Sequence, residues 1–310
     1  MADKRVDKAT GTETVGHEWD GIEELDTPMP RWWLWTFFGT IIFAIGYVVL
    51  YPAWPMLNSA TRGVLGWSSH GQLESELAAQ QEQRAPVMAA LAATPIERLP
   101  ANEKLMQAAV EGGRAAFRVH CVQCHGSGAA GSAGYPNLND DDWLWGGDLK
   151  TIEYTIANGI RNPDHSATRM SQMPAFGRDG LLQPAQINDL VAYVRTISGQ
   201  EKGNAAARRG AETFAANCAV CHGTDGKGLR TFGAPNLTDG IWLYGGDAAS
   251  IRQTIVNARF GVMPRWEEKL GPVTVKMLAA YVHSLGGGEA DSVEATNTAE
   301  APESTGDVHQ

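Results

Sequence analysis

The residues in this chain that could carry chemistry are its four cysteines, which form two similar pentapeptides. These are "CVQCH" at 121–125 and "CAVCH" at 218–222. Cys-x-x-Cys-His is the attachment signature of c-type haem, in which two thiols bond to the porphyrin and the adjoining histidine reaches the iron. The predicted attachment residues are Cys121, Cys124, Cys218 and Cys221, and the predicted proximal ligands are His125 and His222. We therefore expect two covalently bound haems c.

Paired cysteines have three other common uses. A zinc ribbon places its pairs about 15 to 20 residues apart, whereas Cys121 and Cys218 are separated by 97. A thioredoxin-like pair follows a strand in a βαβ unit, and no β-rich run precedes either motif. Structural disulfides remain conceivable, but they leave the two adjoining histidines unexplained.

The two motifs lie in an internal repeat. "GRAAFRVHCVQCHG" matches "GAETFAANCAVCHG", and "PNLNDDDWLWGGD" at 136–148 matches "PNLTDGIWLYGGD" at 235–247. Each copy then reaches a Met-Pro pair and a final segment with apolar residues at i, i+3, i+4 and i+7, which predicts a helix. The order in each copy is helix, haem motif, loop, short helix, Met-Pro and last helix. A polar linker, "SGQEKGN", joins the copies.

Met173 and Met263 are the predicted sixth ligands, because each precedes a proline at the same place in its copy. A thioether ligand raises the haem potential and favours electron transfer over gas binding. In the first copy "GIRNPDHSATRMSQ" enlarges the loop, so that Met170 or His165 could replace Met173. His120, His165 and His283 have no counterpart in the other copy and are interpreted as surface or packing residues.

A membrane anchor is predicted near the start of the chain. Residues 32–61 carry no charge, and "WWLWTFFGTIIFAIGYVVLY" supplies twenty residues before Pro52. That length spans a hydrocarbon core of about 30 Å. Tryptophan and tyrosine flank the segment like the aromatic belts of membrane helices. A buried core helix or a cleaved signal peptide is the alternative, but no convincing cleavage site follows.

The net charge of −10 comes from the two ends of the chain. Residues 1–31 carry eight acids against four bases, residues 289–310 carry six acids and no base, and the remainder is neutral. No basic surface for nucleic acid is indicated. Both ends have the composition of solvated, disordered tails.

The whole pattern resembles two known families. Each copy is similar to a class I cytochrome c domain, in which the first helix crosses the last. That resemblance implies that Gly113 and Phe117 contact Tyr193, and that Gly210 and Phe214 contact Tyr281. The anchor, the "YPAWP" at its outer end, "GWSS" at 66–69 and the paired "WL-GGD" segments resemble the dihaem cytochrome c subunit (CcoP or FixP) of cbb3-type cytochrome c oxidases.

The resemblance implies an all-α protein with one transmembrane helix followed by two tandem class I cytochrome c domains. The expected divisions are a cytoplasmic tail (1–31), an anchor (32–57), a partly helical periplasmic linker (58–102), domain 1 (103–199), domain 2 (204–286) and a disordered acidic tail (287–310). Because c-type haem is attached outside the cytoplasmic membrane in this family, we expect a single-pass inner-membrane protein with its N-terminus in the cytoplasm and its haem domains in the periplasm.

The expected function is electron transfer to a proton-pumping terminal oxidase. The expected partners are a haem-copper catalytic subunit, a monohaem cytochrome c subunit, and a donor that is a c-type cytochrome or the quinol-cytochrome c reductase. A tethered dihaem shuttle or the cytochrome subunit of a periplasmic dehydrogenase is the alternative. A dihaem peroxidase or gas sensor is a third possibility, and the two methionines argue against it.

Trp143 and Trp242 lie in the repeated "WL-GGD" segments between the proximal histidine and the methionine. Each tryptophan is expected either to pack against the porphyrin and shield it, or to donate its indole N–H to a haem propionate. Leu138 and Leu144 are expected to face the haem, and Gly146-Gly147 to permit a tight bend.

Overall fold

The computed structural model describes residues 4–290 and consists mainly of helices, with one short antiparallel hairpin. The elements in chain order are β1 (Thr14–Trp19), β2 (Ile22–Leu25), α1 (Arg31–Leu50), α2 (Ser69–Ala93), a 3-10 turn (Ile96–Ala101), α3 (Glu103–His120), α4 (Val122–His125), α5 (Leu149–Asn158), α6 (Pro184–Ile197), α7 (Ala205–Asn217), α8 (Ala219–His222), a second 3-10 turn (Arg230–Phe232), α9 (Ala248–Asn257), α10 (Glu267–Leu270) and α11 (Pro272–His283). The chain divides into two compact units at residues 83 and 84.

The first unit contains the hairpin and the apolar helix α1. None of the twenty residues of α1 is buried, and the helix meets the length and composition of a membrane span. A helix that exposes apolar side chains on every face requires an apolar surround. The prediction of disorder is wrong for residues 4–30, because β1 and β2 pair there and the Arg5 guanidinium lies 2.8 Å from the carboxylate of Glu23, while residues 1–3 lie outside the described residues.

The second unit contains two hydrophobic cores, and each core draws on both copies of the repeat. The first core contains Leu105 and Phe117 of α3, Ile152 of α5, and Val275 and Leu278 of α11. The second core contains Phe176, Ile187 and Leu190 of the first copy, and Phe214 and Ile251 of the second.

The predicted pairing of first and last helices within each copy is wrong. Helix α3 packs against α11, where the Phe117 and Tyr281 rings lie 5.3 Å apart, and Gly113 lies directly against the backbone of Met277. Helix α7 packs against α6, where the Tyr193 and Phe214 rings lie 5.1 Å apart. The two copies have therefore exchanged their last helices.

The exchange has a physical basis in the linker between the copies. Helix α6 ends at Ile197 and α7 begins at Ala205, so a short connection joins them. Short connections favour antiparallel neighbouring helices, because loop closure then costs little entropy. Gly210 supplies the close approach, since a Cβ at that position would collide with the carbonyl of Asp189. With α6 taken by α7, helix α3 is left to pack with α11.

Candidate haem sites

The haem motifs are placed in the same way in both copies. Helices α3 and α7 end at Cys121 and Cys218, and the short helices α4 and α8 carry the remaining cysteine and histidine of each motif. All four cysteines are free of disulfides. Burial, reinforced by the neighbouring cysteine, raises the pKa of the Cys121 and Cys218 thiols to about 11. These two thiols lie in apolar surroundings, beside the hydrophobic cores.

Each proximal histidine is oriented by a backbone carbonyl. His125 Nδ1 lies 3.1 Å from the carbonyl oxygen of Pro136, and His222 Nδ1 lies 3.1 Å from that of Pro235. A carbonyl accepts only, so Nδ1 carries the proton and Nε2 is left with a lone pair. Burial lowers the pKa of both imidazoles below the usual value and favours the neutral form that binds a metal.

A cavity adjoins the first motif, and the methionine that lines it is Met263 of the second copy. The residues that line the cavity include Cys121, Cys124 and His125 of the first motif and Met263 of the second copy. The expectation that His125 shares its site with Met173 is therefore wrong. Backbone pairing fixes Met263 in place, because Met263 and Ile160 exchange two hydrogen bonds of 2.9 and 3.0 Å.

The second motif has the converse arrangement. Met173 of the first copy packs in the second core, together with Cys218 and Trp242. The segment after it is held to the second copy, since the Arg178 N–H donates to the carbonyl of Val256 at 3.0 Å. The expectation that His222 shares its site with Met263 is wrong for the same reason. Each methionine has crossed to the other haem motif.

Met170 and His165, the two alternatives to Met173 as a ligand, are placed differently from Met173. Met170 is 67% exposed. His165 contacts Asn158 Oδ1 through Nε2 at 2.8 Å and the Arg265 guanidinium through Nδ1 at 3.3 Å. Both nitrogens of His165 are thus engaged by the protein.

Local contacts explain why the tryptophan, the glycines and the aspartate recur in both "WL-GGD" segments. The Trp143 indole lies against Gly147, and the Trp242 indole lies against Gly246, so a Cβ at either glycine would collide with the ring. Gly146 has φ +112°, which favours glycine. The final aspartates, Asp148 and Asp247, cap α5 and α9 by accepting backbone N–H bonds of 2.9 and 3.0 Å from Thr151 and Ser250.

Trp143 forms part of the wall of the first cavity, together with Leu138 and Leu144. Its indole N–H donates to the carbonyl of Gly287 at 2.6 Å, so the backbone engages this donor. The prediction of disorder from 287 is wrong at its start, because the Gly147 N–H also donates to Glu289 at 2.9 Å. Residues 291–310 of the predicted tail lie outside the described residues.

A second aromatic position in the same segments joins the two copies. Trp145 lies against Gly233 of the second copy, and Tyr244 lies against Gly134 of the first. The carbonyl of Leu243 accepts a 2.8 Å bond from the Gly134 N–H. These pairs occupy equivalent places in the repeat, so the contact has approximate two-fold symmetry.

Sequence reasoning missed the arginines at this contact. The Arg169 guanidinium lies 5.1 Å from the Trp145 ring centroid, and the Arg259 guanidinium lies 4.8 Å from that of Tyr244. Both arginines stand four residues before a predicted methionine ligand, and that shared offset was a signal in the sequence. Arg161 also lines the first cavity.

Similarity to known proteins covers nearly the whole chain. Residues 11–58 match the family model described as the N-terminal domain of cytochrome oxidase-cbb3, FixP. Residues 110–198 match the cytochrome c model, and residues 205–282 match that of cytochrome C oxidase, cbb3-type, subunit III.

Similar full-length proteins agree with these matches. A cbb3-type cytochrome c oxidase subunit CcoP of Cereibacter sphaeroides is 54% identical over 89% of this chain and 95% of its own length. A FixP subunit of Azorhizobium caulinodans is 53% identical over 92% of this chain and 96% of its own length. The chain belongs to the CcoP/FixP family of cbb3-type cytochrome c oxidase subunits. It is an electron-transfer subunit of a terminal oxidase.

Membership of this family establishes the coarse features predicted from the sequence. The protein has one N-terminal apolar helix and two cytochrome c domains, and its cofactor is haem c. It is a single-pass protein of the inner membrane, where it works with other oxidase subunits. The thiols, the oriented imidazoles and the apolar cavity beside the first motif fit haem c.

Proposed function

We propose that the chain carries two haems c in crossed ligation and passes electrons through them toward the oxygen-reducing subunit. Cys121 and Cys124 attach the first haem, and Cys218 and Cys221 attach the second. His125 and Met263 are the axial ligands of the first iron, and His222 and Met173 are those of the second.

The observation that carries this proposal is the position of Met263 in the cavity of the first motif. Placement of Met173 in the second core with Cys218 supports the converse pair. A thioether opposite an imidazole closes the iron to external ligands and raises its potential, which suits an electron carrier. The contact of the two copies through Trp145 and Tyr244 keeps both sites in one body, as transfer between two haems requires.

Variants that retain a single haem test the crossing. Met263→His replaces a thioether with an imidazole and lowers the potential of the haem it ligates. We expect that shift in a Cys218→Ala/Cys221→Ala background, which keeps only the first haem, and no shift in a Cys121→Ala/Cys124→Ala background. The matched change Met173→His should give the opposite pattern. A Met263→His shift confined to the second haem would refute crossed ligation, and two haems remaining after loss of either cysteine pair would refute the attachment sites.

We further propose the topology and the partners. The tail (1–31) faces the cytoplasm, the anchor occupies 32–57, a linker follows (58–102), and the two haem-bearing repeats (103–199 and 204–286) lie in the periplasm. Electrons arrive from a c-type cytochrome or the quinol-cytochrome c reductase and leave through a monohaem subunit to a haem-copper subunit. The absence of a charged residue between Trp32 and Thr61 supports the single span.

Gentle detergent purification tests the partners, and protease protection tests the topology. We expect a multi-helix subunit with b-type haem and a monohaem cytochrome to co-purify with the chain. Purification without any b-type haem would contradict the assembly. In spheroplasts, protease added outside should cleave the repeats and spare the N-terminal tail.

A further inference from the structure

Arg161 joins the two loops that lead to the two methionines. Its Nε donates a 2.6 Å bond to the carbonyl of Gly261, two residues before Met263. Its Nη1 donates a 3.1 Å bond to the carbonyl of Ser171, two residues before Met173. One planar guanidinium therefore holds both methionine loops, and a planar fork of donors fixes their relative position.

The charge of Arg161 lies at the first haem site. The side chain lines the cavity that contains Cys121, His125 and Met263. Desolvation lowers the pKa of this guanidinium, and no carboxylate of the described residues forms an ion pair with it. A partly buried cation is costly without an anion. A haem in this cavity brings carboxylates of its own, the propionates, which would offset that cost.

The backbone at Arg161 is also unusual. Its φ is +53°, in the left-handed region that non-glycine residues rarely adopt. The Arg161 N–H donates to the carbonyl of Arg169 at 2.9 Å, which holds this conformation. Strained residues of this kind persist only where the surrounding structure over-determines their conformation.

The second copy has no equivalent clamp. Arg161 follows Asn158, the last residue of α5, by three positions, and Phe260 follows Asn257, the last residue of α9, by three positions. The Arg161 guanidinium lies 5.8 Å from the Phe260 ring centroid. The two equivalent positions thus meet near the centre of the contact between the copies, and only one of them carries a charge.

We propose that Arg161 is a positioning residue shared by both haems, which holds the two methionine loops together and places its charge at the first haem only. This inference rests on the crossed ligation proposed above. A change at Arg161 would loosen the methionine ligation of both haems, while its electrostatic effect falls on the first. Arg161 thereby makes the two irons unequal within an otherwise symmetric pair of sites.

The test compares Arg161→Leu and Arg161→Lys in the full-length holo-protein in detergent, after haem content is measured. For Arg161→Leu we expect carbon monoxide to bind both ferrous haems at least tenfold more than in the unchanged protein. We also expect the first haem to shift about tenfold toward the oxidised form at a fixed ambient potential, which is about 59 mV for one electron. Arg161→Lys keeps the charge but loses the planar fork. It should leave the first potential nearly unchanged and still admit carbon monoxide at both haems.

Arg178→Leu is the matched control. Arg178 follows Met173 by five positions, its side chain is 61% exposed and pairs with Asp179, and the variant keeps the backbone N–H that bonds to Val256. This variant should change neither carbon monoxide binding nor either potential. A response of one haem alone, no response to Arg161→Leu, or an equal response to Arg178→Leu would overturn the proposal. If Arg161→Leu fails to assemble two haems, Arg161→Lys tests the proposal alone. Carbon monoxide binding to both haems of Arg161→Lys supports the shared clamp, and binding to one haem or to neither refutes it.

Failure of crossed ligation is distinguished by the cysteine-pair backgrounds. They report which methionine serves which iron whatever residue stands at 161. If ligation is crossed but Arg161 changes affect one haem, only the clamp is refuted. If Met263→His shifts the second haem, crossed ligation is refuted, and the inference about the first haem fails with it.

Discussion

The exchange of last helices predicts which aromatic pairs are energetically coupled. We consider leucine substitutions at Phe117 and Tyr281, whose rings lie 5.3 Å apart at 60°, and at Phe214 and Tyr193, whose rings lie 5.1 Å apart at 52°. Leucine removes the ring but leaves an apolar side chain of moderate size. Phe117 and Phe214 are only 1% and 2% exposed, so each ring is fully desolvated.

The magnitude follows from this geometry. Aromatic pairs at such separations contribute about 0.5 to 1.5 kcal/mol beyond the area that they bury. Phe117 belongs to the first core and Tyr193 packs against the second, so those two should be additive within about 0.5 kcal/mol. We therefore expect double-mutant coupling for Phe117 with Tyr281 and for Phe214 with Tyr193, and none for the two pairs within a copy.

The assay is guanidinium chloride unfolding of the full-length holo-protein. It is followed by far-ultraviolet circular dichroism and by loss of methionine ligation, which should give coincident transitions. Coupling energies are taken only from variants with an unchanged dependence of unfolding free energy on denaturant, because a changed slope signals a changed unfolded or folded state. Coupling of Phe117 with Tyr193, together with additivity of Phe117 with Tyr281, would refute the exchange.

Three further changes test local features of the first site. Trp143→Phe removes the bond to Gly287 and should cost about 1 kcal/mol of unfolding free energy, whereas Trp242→Phe should cost less, since the Gly287 contact is made by Trp143. Asp148→Ala removes the cap of α5 and should cost about 1 kcal/mol, with Asp148→Asn nearly neutral, as thermal unfolding would show. Burial, then repulsion by Asp239, raises the pKa of Asp142 to about 6. Ionisation of Asp142 therefore lowers the free energy of unfolding as pH rises from about 4 through 6. Asp142→Asn should stabilise the fold by about 1 kcal/mol at pH 7, after discounting for partial exposure, and by nothing near pH 3. A stabilisation that grows toward low pH would contradict this sign.

Much of the candidate site was predictable because the residues of each haem motif are neighbours in the sequence. The two thiols and the histidine of a c-type haem site are close in sequence, so the motif itself predicts Cys121, Cys124 and His125. Twenty uncharged residues can be a membrane span without any tertiary contact, and α1 has that length. Asp148 could have been predicted as a helix cap, because it follows Gly-Gly and precedes an apolar helix. That capping role was not predicted from the sequence.

Disorder near the chain ends was a weaker prediction, because composition alone does not reveal a partner. The N-terminal segment is polar, yet β1 and β2 pair through their backbones. Gly287 is held by Trp143, a residue 144 positions away. Contacts between such distant residues leave no trace in local composition.

The sequence by itself determined the class of cofactor, haem c, together with the repeat and the anchor helix. Tertiary structure alone decided which methionine lies beside which haem motif. The two copies are so alike that α3 could pack against either last helix, with equivalent glycine and aromatic contacts in both cases. The choice depends on the short connection between α6 and α7 and on the neighbour that this connection leaves for α3. These are properties of the folded chain as a whole, because they arise only when two nearly identical units compete for the same partners.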